Sequence, residues 1–79
     1  MKKYSVIVMP RQDIQDPQGT AVREALRSLG YDGVSDCRIG KVVVLTVEDY
    51  VDEASVGEMA RRLLSNPVTE TFRVEEGGE

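Results

Sequence analysis

The residues that usually carry chemistry are scarce in this chain. Its 79 residues include no histidine and a single cysteine, Cys37. Imidazole is the usual general base near neutral pH, and a cysteine nucleophile needs a base beside it to become a thiolate. Neither pairing can be assembled here, so Cys37 reads as a small apolar side chain. A common zinc site asks for about four sulfur or nitrogen ligands, which one cysteine without histidine cannot supply. The densest carboxylate group is Glu48, Asp49, Asp52 and Glu53. It lacks the ligand spacing of a calcium loop, and its charge suits the exposed amides at a helix start. Gly40-Lys41 lacks the further glycines and the Ser/Thr of a phosphate loop.

Two short segments say more. Arg38-Ile39-Gly40-Lys41 sets two cations around an apolar residue and a flexible one. Such a pair can grip a carboxylate, a phosphate or an acidic protein surface. It can equally sit on a solvated edge and discourage strand pairing. Asp16-Pro17-Gln18-Gly19 is a helix start. Asp16 can accept from the free amides of the first turn, and Pro17 stands where its missing N–H costs nothing. Gly19 is not explained by the cap, since it costs a helix about 1 kcal/mol relative to alanine. Close approach of another backbone would account for it.

Those segments belong to a regular alternation of elements. Residues 3–9 alternate Tyr4, Val6, Val8 with Ser5, Ile7, Met9 and stop at Pro10, which predicts a strand covered on both faces or central in its sheet. A helix is predicted from Pro17 to about Leu29, with Ala21, Val22, Ala25, Leu26 and Leu29 on one stripe and Gly30 closing it. Residues 34–48 read as one long strand, bent or bulged at Gly40, or as two strands meeting there; the single strand is the favoured reading. Asp52 is a plausible N-cap for a second helix, about 53–65, whose stripe is Val56, Met59, Ala60, Leu63 and Leu64. Glu58 and Arg62 are spaced to pair on it. Asn66-Pro67 ends that helix, residues 68–75 form a last strand, and 76–79 read as a flexible acidic tail to a single domain of residues 1–75. The fold class is therefore α+β, a two-layer sandwich in the order β-α-β(β)-α-β, with two helices on one face of an antiparallel sheet.

Size and charge bound the function. A domain this short buries only ~60% of its unfolded surface, and small domains lean on disulfides, metals or oligomerisation. With the first two excluded, and with apolar residues on both sheet faces, dimerisation through the sheet is the expected remedy. The net charge is −4, and three of the 14 acids, Glu75, Glu76 and Glu79, lie in the last five residues. No basic stripe is visible and aromatics make up 5%, which argues against nucleic acid. No window approaches the ~18 apolar residues of a membrane span. With no secretory signal pattern and an unpaired cysteine, the expected location is cytoplasmic.

The motifs resemble one family. Asp16-Pro17-Gln18-Gly19-Thr20-Ala21-Val22, Leu29-Gly30-Tyr31, Val34 to Lys41, Leu63 to Val68 and Phe72 to Glu75 are together similar to the PurS family, the small subunit of phosphoribosylformylglycinamidine synthase. Cys37, where valine is more familiar, and the short acidic tail are the departures. The resemblance implies a non-catalytic bridging subunit of a ligase complex in de novo purine biosynthesis. It would be a homodimer or larger oligomer that docks the glutaminase PurQ to the ATP-dependent synthetase PurL and supports ammonia transfer. No cofactor is expected on this chain; ATP and magnesium would be used by the large subunit. On this resemblance Asp16, Gln18, Gly19, Arg38, Gly40 and Lys41 are the candidate partner-binding residues, with Arg38 and Lys41 offering charge-assisted hydrogen bonds to carboxylates. The alternatives are a module that senses a small molecule and, least favoured without histidine, a stand-alone enzyme.

Overall fold

The structure, a computed structural model, describes residues 1–77. Strand β1 (Lys2–Pro10) is the centre of a three-stranded sheet, with β2 (Lys41–Val47) on one side and β3 (Glu70–Glu76) on the other, both antiparallel to it. The central place explains why both parities of β1 are apolar. Val6 is paired with Val43 and Val74, and Val8 faces Phe72 across the ladder. Helix α1 (Pro17–Ser28) connects β1 to β2. Helix α2 (Glu53–Met59) connects β2 to β3 and widens at its end into a π-helical segment, Ala60–Leu64.

Only one sheet face is closed within the chain. Tyr4, Val6 and Val8 meet Val56 and Ala60 of the second helix, and these five residues are the buried core. Val43, Leu45, Val47, Phe72 and Val74 pack around them. Each fully buried valine contributes roughly 1.5–3 kcal/mol, so the core is a modest one.

The cover is uneven elsewhere. On α1 the stripe residues Ala21, Val22, Ala25 and Leu29 face solvent, and only Leu26 is half-buried. On the outer sheet face Val42 is 61% exposed, and Ile7 and Met9 are half-buried. Arg23 of α1 holds its Nε out of water without an acceptor. The molecule measures 49 × 27 × 14 Å with a radius of gyration of 15.6 Å, whereas a compact chain of this length would have about 12 Å.

Three expectations are corrected. The long strand 34–48 is a strand only over Lys41–Val47; residues 34–40 carry no ladder. The reason is tertiary: the Ile39 amide and the Arg38 guanidinium are taken by the start of α1 and the end of β1, as described below. The last strand begins at Glu70 and continues to Glu76, paired with Tyr4, so Glu76 is sheet and not tail. Gly77 continues that attachment: its amide donates to the Lys3 carbonyl, and its carbonyl accepts from the Ser5 hydroxyl. Gly78 and Glu79 lie outside the described residues. Leu63, placed on the core stripe by its spacing, is 83% exposed. The π turn is the cause. Its wider pitch keeps Val56, Ala60 and Leu64, four residues apart, toward the sheet and turns Leu63 outward.

Candidate functional site

Four of the six candidate residues meet at one corner, where the end of β1, the start of α1 and the 34–40 segment come together. Asp16 caps α1: its Oδ1 accepts from the Gly19 amide at 3.0 Å. Its Oδ2 accepts from the Ile39 amide at 2.8 Å. One carboxylate thus ties the helix start to the returning chain. The Ile39 amide is the main cause holding the Asp16 carboxyl below its ordinary value, with the Gly19 amide and the charge of Arg38 adding to it.

Gly19 and Gly40 are where these segments touch. A Cβ on Gly19 would overlap the Cys37 carbonyl, which accounts for a glycine inside the first helical turn. A Cβ on Gly40 would overlap Met9 Sδ and the Val8 carbonyl. Arg38 reaches back over the end of β1. Its guanidinium donates to the carbonyls of Pro10 at 3.0 Å, Gln12 at 3.4 Å, and Arg11. Gln18 and Lys41 are brought into none of these contacts and stand exposed. The corner is a latch: a carboxylate and a guanidinium hold the 34–40 segment against two backbone stretches.

Beside the latch the sheet ends in two adjoining clefts. The larger, about 630 Å³, lies between Met9, Arg11, Asp13 and Arg38. The smaller, about 270 Å³, lies between Arg11, Arg61, Pro67, Glu70 and Phe72. Arg11 and Thr71 line both. Arg11 also donates to the Pro67 carbonyl at 2.9 Å. Arg11 and Arg61 were not singled out from the sequence. The pair Arg61-Arg62 before a leucine is the available signal, and in the sequence it reads as the polar side of the second helix. The expected Glu58–Arg62 pair is not formed: among the described residues the ion pairs are the N-terminus with Asp49 and Arg73 with Glu75.

Among the described residues no three His, Cys, Asp or Glu side chains are grouped to hold a metal. None of their helices is long and apolar enough to cross a membrane. What the corner and clefts offer is shape, cations and apolar surface.

The family model for PurS, phosphoribosylformylglycinamidine (FGAM) synthase, matches residues 3–77. The chain belongs to the PurS family. It is 44% identical over 77 residues to the synthase subunit PurS of Bacillus subtilis, covering 95% of this chain and 92% of that one. A crystal structure of B. subtilis PurS superposes with a TM-score of 0.87 at 42% identity, over 99% of this chain and all of the other. A chain in the structure of PurLQS from Thermotoga maritima superposes with a TM-score of 0.84 at 32% identity, over 96% of each. The α+β architecture with its antiparallel sheet is thus the PurS architecture, and the chain is similar along its described length to a subunit of phosphoribosylformylglycinamidine synthase.

Proposed function

We propose that this PurS-family chain is a non-catalytic bridging subunit of phosphoribosylformylglycinamidine synthase in de novo purine biosynthesis. On this reading it docks the glutaminase subunit to the ATP-dependent synthetase subunit and supports ammonia transfer between them. The observation that carries the reading is its likeness, over 96% of both chains, to a chain of the PurLQS assembly of T. maritima. The residue inventory agrees, since Cys37 has no histidine to activate it. ATP and magnesium belong to the large subunit in this scheme, and the setting is the cytoplasm.

A second copy of the chain is part of the proposal. The accessible surface is 5724 Å², against about 4,800 Å² for a compact monomer of this mass. The excess, about 900 Å², is close to the ~800 Å² each partner contributes to a standard interface. The α1 stripe and the outer sheet face, with Val42 and Val44, are the apolar surfaces a second copy would cover.

The test is reconstitution from purified subunits. Glutamine-dependent turnover of the synthetase and glutaminase is measured with and without this chain, with ammonia-dependent turnover as the control. The expected result is that glutamine-dependent turnover requires the chain and the ammonia-dependent rate does not. Equal glutamine-dependent rates in both mixtures would overturn the reading.

A further inference from the structure

The charges of this molecule are sorted along its length. The ladders pair Lys2 with Val47 and Tyr4 with Glu76, so Glu48, Asp49, Asp52 and Glu53 share one end of the sheet with Glu75 and Glu76, and Lys2 and Lys3 stand among these six carboxylates. At the opposite end stand Arg11, Arg38, Lys41, Arg61 and Arg62, with Asp13, Asp16 and Glu70 as carboxylates among them, so that cations outnumber carboxylates there. None of those five cations is in an ion pair among the described residues. In a chain of net charge −4, unpaired cations gathered at one end form a local field opposite in sign to the whole.

The same end displays apolar surface. The π turn carries Leu63 outward at 83% exposure, directly after Arg61 and Arg62. Val68, in the turn before β3, is 76% exposed. Single turns of π-helix occur often at functional sites, and this one presents a leucine that an α-helical turn would direct toward the core.

We infer that the basic end, with Arg11 and Arg61 lining the clefts and the exposed Arg62, Leu63 and Val68 adjoining their lining residues in the chain, is the docking surface for an acidic polypeptide segment of a larger partner subunit. This segment would carry an apolar anchor. The inference rests on the bridging function above and names the chemistry of one of its contacts. A bare phosphate or a nucleic acid would use the cations but not Leu63 and Val68. The acidic end of a second copy would match in charge, and the self-association arm of the experiment below tests that occupant. Arg38 contributes mainly field, because three of its five N–H donors are already held by carbonyls.

The experiment uses the full chain and two variants, Arg61→Glu with Arg62→Glu, and Leu63→Ser. All three positions are exposed, so the fold should persist, which circular dichroism and melting check. Binding of the purified synthetase and glutaminase subunits, singly and mixed, is measured across a salt series. The double charge reversal should weaken binding of one subunit about tenfold or more and flatten its salt dependence. Leu63→Ser should weaken the same subunit without changing the salt slope. Undiminished binding of both subunits by the variants overturns this inference and leaves the bridging function standing. Loss of self-association in place of partner binding also overturns it. A wild-type chain that binds neither subunit takes down the bridging function itself.

Discussion

Asp16 and Asp52 open the two helices with the same chemistry. Each carboxylate accepts from the backbone amide three residues on, Gly19 for α1 and Ser55 for α2. Both are held below their ordinary pKa, Asp16 chiefly by the Ile39 amide with the Gly19 amide adding, and Asp52 chiefly by the Ser55 amide. From there the helices diverge. The second helix puts Val56 and Ala60 into the core. The first leaves its stripe in solvent, with Leu29 75% exposed, and is tied to the molecule by polar contacts at one end. The difference teaches that amphipathic spacing fixes which face of a helix needs covering, and not what covers it. For α2 the cover is the chain's own sheet. For α1 the described chain supplies no such cover.

The largest effect should come from α1's open stripe. Val22→Asp with Leu29→Asp removes apolar surface from α1, and both side chains are already exposed. Self-association should weaken about a hundredfold or more, as expected for two side chains worth roughly 1.5–3 kcal/mol each. Analytical ultracentrifugation over a dilution series checks it, and the melting curve at high dilution should hardly move. A dissociation constant unchanged by the pair would mean that something other than a second copy covers α1.

A matched pair of glycine substitutions sharpens the contrast inside the chain. A Cβ on Gly19 would meet the Cys37 carbonyl and Asp16 Oδ2, while a Cβ on Gly57 of α2 meets nothing within 4 Å. Gly19→Ala should destabilise by about 1–3 kcal/mol, because backbone must shift to admit a methyl group. Gly57→Ala should stabilise by about 0.5–1 kcal/mol through helix propensity. Chemical denaturation of both variants measures the opposite signs. Two shifts of the same sign would break the claim that α1 is fixed by close backbone contact and α2 by side-chain packing.

The legibility of these features follows the range of the interactions behind them. Both caps, both helix starts and the central place of β1 could be read from residues a few positions apart. Gly19 advertised a close backbone approach, although Cys37, the partner, lies eighteen positions further along. The 34–40 segment misled because Cys37 and Ile39 have strand parity, yet its amide and guanidinium groups are taken by Asp16 and by the end of β1. Nothing local encodes those partners. Leu63 misled in the other direction. A 3.6-residue period places it inside, and only the wider π turn puts it outside. The candidate residues were partly legible for the same reason. Arg38, Gly40, Asp16 and Gly19 stood out as a set and do meet, but their meeting builds the corner. Arg11 and Arg61, far apart in sequence, are joined only by the sheet.

The smallest effect, and the one that separates the two caps, is their response to acid. In the folded chain both carboxyls titrate below the unfolded value of about 3.9, so the unfolded chain takes up these protons first as pH falls. Their contribution is therefore complete above pH 4 and is lost as pH drops through the folded values. Asp52 bonds within its own helix, to the amide and hydroxyl of Ser55. Asp16 spans two segments, and its strongest partner, the Ile39 amide, is 23 residues away. Asp52→Asn should therefore change mainly the local fraying of α2, seen as faster amide exchange at Ser55. Asp16→Asn should release the 34–40 segment as well, and speed exchange at both Gly19 and Ile39 at neutral pH. It should also flatten the loss of stability below pH 4 more than Asp52→Asn does. If protection at Ile39 survives Asp16→Asn unchanged, then Arg38 alone holds the segment, and the two helix caps are equivalent after all.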